Sequence, residues 1–317
     1  MTAQPSKGRS SRETVAALVV TYFPDRQFPE RLDKLLAQTD RAVIVDNGSD
    51  AASLAWKRSY EDRPGVTILE NGANLGIAAA LNRGMRLLAG EGYDWALTLD
   101  QDSMVEEGCV AALLQTLAKD PKPDDVALVG ANRHDLGAGL AEHRWVRPKR
   151  GLPFFERVPC ERIGPEGVTL VITSGTLTST KAFERLGPFK DAFFIDFVDS
   201  EYCLRARKSG YRILVSREAC LGHRIGAKRQ ARLFGITFSP MHHGPLRKYY
   251  IFRNAVGVIR SYGWSCPHWL VYQILALIEI IIGVLVFEDR KGAKLKACLV
   301  GLWDGLLGRG GPAQRAF

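Results

Sequence analysis

The sequence predicts an α/β protein: a mostly parallel central sheet flanked by helices, followed by a helical extension. Three observations predict it. Short Val/Ile/Leu runs alternate with segments of helical spacing as far as Gly130, each early run ends in Asp, Asn or Gly, and the most apolar stretch comes late, at residues 269–287. Strands and helices in alternation bury a parallel sheet on both faces, so its strands read as continuous apolar runs.

Residues 15–21 form the first such run, Val-rich and stopped at Phe23-Pro24-Asp25. The spacing of Leu32, Leu35 and Leu36 predicts a helix over 29–38. Strands follow at 42–45, stopped by Asp46-Asn47-Gly48-Ser49, and at 66–69, stopped by Asn71-Gly72-Ala73-Asn74. A helix over 77–88 carries Leu81, Met85 and Leu88 on one face. A fourth strand, 95–99, ends in Asp100-Gln101-Asp102, and a helix over 106–118 and a strand at 126–130 complete the alternation. Residues 132–167, rich in Arg, Pro and Gly, predict loops. A strand at 168–173 then leads into Ser174-Gly175-Thr176, followed by a helix at 180–186 and an aromatic segment at 193–198. A helix at 200–209 is closed by Gly210, and a strand at 211–215 precedes helices at 246–261 and 269–287 and an apolar stretch at 295–307.

With 317 residues, 46% hydrophobic and 24% charged, the chain suits one large α/β unit with an appendage, or two domains. Aromatic content of 9% and 31 glycines exclude disordered, collagenous and coiled-coil chains. A net charge of +9 favours anionic partners. Nine basic residues and one acid, Glu218, lie between Arg205 and Arg232, so +8 of that charge sits there. The run has a single interleaved aromatic, Tyr211, and no recognised nucleic-acid module appears, which argues against a nucleic-acid partner. Six cysteines without a Cys-x-x-Cys pair predict free thiols rather than a zinc site. Residues 1–13 read as a polar, disordered leader with no secretory signal, which predicts a cytoplasmic protein.

Asp25, Asp46-Asn47, Asn74 and Asp100-Asp102 all follow the carboxyl ends of predicted strands. Ligands of open α/β sheets bind outside those ends, although Asp and Asn are also ordinary turn residues. Side chains two apart on an extended segment point the same way, so Asp100 and Asp102 can face one site. Two carboxylates completed by phosphate oxygens suit a hard divalent cation. Gly76 would open the 77–88 helix where a ligand or backbone approaches closely. No Walker loop or Gly-x-Gly-x-x-Gly is present. Asp196, Asp199 and Glu201 fall at a loop-to-helix transition, where a carboxylate can cap the helix or take a proton from a hydroxyl. His223 follows as a metal ligand, a phosphate donor or a structural histidine; the pair His242-His243 is assigned no metal.

Taken in order, Val19-Val20-Thr21-Tyr22-Phe23-Pro24, Val45-Asp46-Asn47-Gly48-Ser49, Asn74-Leu75-Gly76, Asn82-x-Gly84, Leu99-Asp100-Gln101-Asp102-Ser103, Ser174-Gly175, Asp199-x-Glu201-x-Cys-Leu-Arg and Gly222-His223 resemble the family 2 glycosyltransferases over residues 15–260. Within that family the chain is similar to bacterial rhamnosyltransferases, where Asp-Gln-Asp-Ser and Tyr-Tyr-x-x-Arg-Asn (here Tyr249 to Asn254) are typical. The resemblance implies a GT-A fold with a Rossmann-like sheet and an inverting, metal-dependent transfer to a hydroxyl. It implies that Thr21 and Phe23 line the nucleotide pocket, Asp46 binds the pyrimidine, and Asn74 and Gly76 lie near the nucleotide and phosphates. Asp100 would sit by the ribose or sugar, Asp102 would hold Mg2+ or Mn2+ with help from His223, and Ser174 and Gly175 would lie on the acceptor side. Asp199 would be the general base. Val198 stands where the family has Glu, which leaves acceptor-side Glu201 as an alternative.

The implied donor is dTDP-rhamnose and the implied acceptor a saccharide or lipid-linked saccharide of the cell surface. Residues 14–130 would form the nucleotide-sugar half, 131–240 the acceptor and catalytic half, and 241–317 a helical, membrane-associating region. Competing readings are another nucleotide sugar, a nucleotidyltransferase, or a non-catalytic membrane-associated binding protein. A nucleotidyltransferase usually has a Gly-rich, basic loop where Thr21-Tyr22-Phe23-Pro24 stands, and a binding protein has no need of Asp100, Asp102, Asp199 and His223 together.

Residues 269–287 would form a helix of about 28 Å, close to a hydrocarbon core of about 30 Å. Gln273 and Glu279 interrupt it, and a central acid costs roughly 2.5–3.5 kcal/mol. Lys291, Lys294 and Lys296 follow. The expectation is a helix docked on the cytoplasmic leaflet of the plasma membrane with basic flanks against anionic lipid, in preference to a core helix or a span.

Overall fold

A computed structural model describes residues 13–135, 144–149, 154–223, 231–233, 236–238 and 243–317. The first half follows the expected alternation: β1 (Val15–Thr21), α1 (Phe28–Leu36), β2 (Ala42–Asp46), β3 (Val66–Glu70), α2 (Ile77–Gly90) and β4 (Trp95–Asp100). Next come β5 (Ser103–Val105), α3 (Cys109–Ala118), β6 (Val126–Asp135), β7 (Trp145–Pro148) and β8 (Phe155–Val158). The chain continues through β9 (Thr176–Ser179), α4 (Thr180–Leu186), α5 (Val198–Lys208), β10 (Arg212–His223), β11 (Ala231–Leu233) and β12 (Ile236–Phe238). Three helices complete the described chain: α6 (Pro245–Tyr262), α7 (Pro267–Val286) and α8 (Lys291–Leu306).

Eight strands form one sheet in the order β3-β2-β1-β4-β9-β6-β10-β5. The β3-β2-β1-β4 half is parallel, β9 runs antiparallel to both neighbours, β10 is parallel to β6, and β5 closes the edge antiparallel to β10. Along β1, Ala16, Leu18 and Val20 enter the core under α2, α4 and α5, while Ala17 and Val19 enter the core under α1 and α3. Both faces are thus covered, and fully burying each of Leu18, Val19 and Val20 contributes roughly 1.5–3 kcal/mol. The boundary expected at residue 130 falls inside β6, within this common sheet.

Several expectations are corrected. Residues 168–173 are not a strand. Val168, Thr169 and Val171 are buried, but the chain is held by single bonds, from Val168 N to Ile213 O (2.9 Å) and from Thr169 N to Val146 O (2.9 Å). Their apolar pattern records burial rather than ladder pairing, and the strand starts at Thr176. The loops expected at 132–167 contain the β7–β8 hairpin. β10 runs well beyond residue 215, through an irregularity between Ser216 and Cys220. All six cysteines are free, as expected.

Three residues of the basic run are spent on the fold. Arg205 bonds Glu201 and the carbonyls of Leu186, Gly187 and Pro188; Arg207 bonds Val168 O; Arg212 forks onto Asp120. Arg224, Lys228 and Arg229 lie outside the described residues. Lys294 is also buried rather than lipid-facing, paired with Glu288 (2.9 Å) and Asp289 (2.8 Å).

α8 packs against α6 backbone to backbone: a methyl group on Gly301 would come within 2.4 Å of Tyr249 O, and one on Gly305 within 2.6 Å of Arg253 O. α7 is not a core helix, since only 22% of its apolar window is buried. Ile274, Leu275, Ile278 and Leu285 are exposed, as are Leu299, Trp303 and Leu306 on α8 and Leu307 just after it, and Trp264 between α6 and α7 is 93% exposed.

Candidate active site

β1 and β4 lie side by side in register, Val20 opposite Asp100, so their carboxyl-terminal turns meet. There an open cleft of about 290 Å³ is lined by Val20, Thr21, Tyr22, Asn47, Asn74, Gly76, Ile77, Asp100, Gln101, Asp102, Phe194 and Ile195. Five of the residues expected at the donor site, Thr21, Asn74, Gly76, Asp100 and Asp102, therefore share one cleft. A cleft outside parallel strand ends is where ligands of such sheets bind, and its size is at the lower end for small-molecule sites.

The carboxylate turn is held from three sides. The Gln101 amide accepts from Tyr22 N (2.7 Å) and donates to Tyr22 O (3.0 Å), stitching the turn after β4 to the turn after β1. Arg31 Nε donates to Gln101 O (2.8 Å). From beneath, Ser174 Oγ accepts from Asp100 N (3.2 Å) and lies 2.5 Å from Ser103 Oγ, while Gly175 N donates to Thr98 O (2.9 Å). Ser174 and Gly175 thus support the Asp100–Asp102 turn.

Asp46 does not line the cleft. It is buried, and its carboxylate accepts from Thr21 Oγ1 (3.0 Å), Ser49 Oγ (2.5 Å), Gly48 N (3.0 Å) and Ser49 N (2.8 Å). Four donors fill the usual capacity of a carboxylate, so Asp46 organises the β2 turn. Phe23 is also outside the lining: it is exposed, edge-on to Tyr22 at 4.6 Å, with its N donating to Ser49 Oγ (2.7 Å).

Asn74 Oδ1 accepts from Asn47 Nδ2 (3.0 Å) and Gly76 N (3.0 Å), and Asn47 Oδ1 accepts from Asn71 Nδ2 (3.0 Å) and Leu75 N (3.1 Å). This network delivers the chain to Gly76, which has φ +87°. A Cβ there would lie 2.6 Å from Phe194 O, the acceptor for Ile77 N at 2.7 Å. The close approach anticipated at Gly76 is made by backbone.

Phe194 and Ile195 form the cleft wall that sequence reasoning missed. Phe194, Asp196 and Phe197 have φ of +63°, +61° and +65°. Asp tolerates this region, but Phe194 and Phe197 hold it at a cost of order 1–3 kcal/mol each, and only when their surroundings enforce it. No periodicity reveals such a wall; the only signal was the aromatic segment itself.

Asp199 sits in the first turn of α5, where its Oδ1 accepts from Ser200 N (2.7 Å). It lines a smaller, mainly apolar hollow with Thr173, Thr176, Phe189 and Tyr202, not the cleft. Thr173, in the lining of this hollow, precedes Ser174, whose Oγ accepts from Asp100 N (3.2 Å) at the edge of the cleft. Glu201 is fully buried and occupied: Tyr262 Oη donates to it at 2.6 Å, Arg205 Nη2 at 2.9 Å, and Lys190 Nζ lies at 3.2 Å. Burial, then the bond to Glu201, raises the Tyr262 phenol above its ordinary range and keeps it a donor. Glu201 is therefore a structural anchor between α5 and α6, not an acceptor-side base. Glu201→Ala lowers stability in urea unfolding by about 3 kcal/mol, the low end for a broken buried pair, because Arg205 retains its carbonyl partners.

His223 ends β10 directly opposite Ser103, which brings it alongside the carboxylate turn. Its side chain lies outside the described residues, as does His242. Among the described residues no group of three or more His, Cys, Asp or Glu side chains could hold a metal by itself. Asp100 and Asp102 in one cleft fit a cation that completes its shell with substrate phosphate oxygens.

Over 295 residues the chain is 26% identical to dTDP-rhamnosyl transferase RfbF of Shigella flexneri, covering 93% of this chain and 96% of that one. It is 29% identical over 226 residues to N-acetylglucosaminyl-diphospho-decaprenol L-rhamnosyltransferase of Mycobacterium tuberculosis, 63% of this chain and 72% of that one. Among solved structures it is similar to S. aureus TarS 1–349 in complex with UDP-GlcNAc, with TM-score 0.57, 15% identity, and coverage of 93% and 81%. It is also similar to GalNAc-T7 with UDP, GalNAc and Mn2+, with TM-score 0.55 and 15% identity; 78% of this chain spans 48% of that one. Identities this low establish the GT-A type of fold alone. The model for glycosyl transferase family 2 matches residues 17–187, more than half of the chain and all of the strand-end turns around the cleft, so this chain belongs to glycosyl transferase family 2.

Proposed function

We propose that the chain is an inverting, metal-assisted rhamnosyltransferase that moves L-rhamnose from dTDP-rhamnose to a hydroxyl of a saccharide or lipid-linked saccharide. The observation that carries this reading is the single cleft uniting Thr21, Asn74 and Gly76 with the carboxylates of Asp100 and Asp102. The two rhamnosyltransferase relatives support the choice of sugar. Residues 14–130 supply most of the donor side; residues 131–240 add Phe194 and Ile195 to it and supply the acceptor side, and residues 241–317 the membrane-facing helices.

Thr21, Asn74 and Gly76 flank the nucleotide, and Tyr22, Phe194 and Ile195 give it an apolar wall. Asp102, with Asp100 beside it and His223 opposite Ser103, would hold Mg2+ or Mn2+, which neutralises the developing charge of the leaving diphosphate. Asp199 removes the acceptor hydroxyl proton as that oxygen bonds to the anomeric carbon. The anomeric carbon–phosphate oxygen bond breaks on the opposite face, its electron pair leaves with dTDP, and the configuration inverts.

A donor panel of dTDP-rhamnose, UDP-sugars and GDP-sugars, scored by nucleoside diphosphate release with and without EDTA, tests the reading. Release of dTDP from dTDP-rhamnose, lost with EDTA, is expected. Release from a UDP- or GDP-sugar instead overturns the donor, and pyrophosphate release from a nucleoside triphosphate points to a nucleotidyltransferase.

The outward side chains of α7 and α8, together with Trp264, support docking on the inner face of the plasma membrane. Exposed Lys291 and Lys296 suit anionic lipid. Glu279 is exposed halfway along α7, which favours a shallow seat over a span. Trp264→Ser combined with Trp303→Ser reduces sedimentation with phosphatidylglycerol vesicles at least ~10-fold, with transfer to a soluble acceptor unchanged. Undiminished sedimentation would remove this surface from the membrane contact.

A further inference from the structure

We infer that Asn254, with Arg253, is a positioning residue for the donor cleft, acting through the loop of residues 192–196; this rests on the reading of that cleft as the donor site. Neither side chain lines the cleft, and each is 2% exposed. Asn254 Nδ2 faces three carbonyl acceptors on the loop: Phe193 O at 2.9 Å, Ile195 O at 2.8 Å and Asp196 O at 3.0 Å. Its Oδ1 accepts from Arg253 Nε (2.9 Å), which fixes the orientation of the amide.

Arg253 adds a second grip. Its Nη2 donates to Ala192 O and Phe193 O, both at 3.0 Å, and its Nη1 donates to Gly311 O at 2.6 Å. Gly311 N returns a bond to Ala192 O (2.7 Å), so the segment after α8 closes the clamp. The guanidinium lies over the rings of Tyr249 and Tyr250, at 5.4 and 4.9 Å, and Tyr250 stacks on Phe194 at 5.3 Å.

What is gripped is a backbone with three non-glycine residues at positive φ, two of them phenylalanines, a state that persists only where surroundings over-determine it. The opposite side of the loop bears on the start of α2 through Phe194 O and Ile77 N. If the amide is removed, residues 194–197 can relax toward ordinary φ, and the cleft loses its Phe194–Ile195 wall and the support for Gly76 together. The cost falls on donor binding rather than on the chemical step, because Asp199 is bonded within α5 to Ser200 N and the turn carrying Asp102 is held by Gln101, Arg31 and Ser174.

The test starts with calorimetric binding of dTDP, UDP and GDP, each with Mn2+, to the wild-type protein. If none binds, the reading of the cleft falls and the role of Asn254 with it. If one binds, Asn254→Ala weakens it at least ~10-fold and raises the donor KM alike, with kcat at saturating donor within about threefold, the pattern of lost uniform binding. Amide exchange accelerates at Ile77 and Gly311 but not at Leu18 or Leu97 in the central sheet. Faster loop exchange with unchanged nucleotide affinity overturns the positioning role while leaving the donor site standing, and unchanged exchange overturns the clamp itself. Should Asn254→Ala unfold, Arg253→Lys, which retains the charge over the two tyrosines but loses the fork onto the loop, carries the same expectation and the same counter-results.

Discussion

Asp199→Asn lowers transfer by about 10²–10⁴-fold, the contribution of a well-placed general base, and leaves nucleotide affinity essentially unchanged. The carboxamide has the carboxylate's shape and an oxygen that can still accept from Ser200 N, so the start of α5 survives the change. It cannot take a proton from an acceptor hydroxyl. Asp199 lines the hollow beside Thr173 and Thr176 and not the cleft, which is why binding and catalysis separate here. The check is dTDP release with acceptor present, beside calorimetry of dTDP binding. Wild-type turnover in this variant would remove Asp199 from the base role. With Glu201 buried under Tyr262, Arg205 and Lys190, that role would then pass outside α5.

Asp102→Asn is the second large effect: transfer falls by about 10²–10⁴-fold, on the scale of the several kcal/mol a cation contributes to a leaving diphosphate. Asp102 is exposed on its turn, so folding is unaffected. Because two carboxylates are only part of a shell, Mn2+ binds the wild type weakly alone and much more tightly with dTDP. In the variant this nucleotide-dependent gain disappears. A variant that keeps both its activity and its sensitivity to EDTA would show that the cation is held elsewhere.

The strands around the cleft were legible because they are buried on both faces and stopped by polar turns. β1, β2 and β4 carry that pattern without interruption. The same rule misread residues 168–173, whose apolar side chains are buried without a ladder. Among the site residues, sequence identified the turns but not how their polar groups are used. Asp46 and Glu201 look like ligands in the sequence, yet both are consumed by neighbours, Asp46 by its own turn and Glu201 by Tyr262 from sixty-one residues away. Lys294 reads as a surface cation until Glu288 folds back onto it. Phe194 and Ile195 stayed hidden because their conformation depends on Asn254, a long-range partner that no local pattern encodes.

The backbone contact of α6 with α8 at Gly301 and Gly305 has a mechanical consequence. The two helices cannot roll past one another, so the surface bearing Trp303 and the loop bearing Phe194 turn as one rigid piece. On the proposed docking of α8 on lipid, the cleft mouth would keep a constant tilt above the bilayer. A lipid-linked acceptor, the proposed substrate, would then need only to diffuse in two dimensions to meet it.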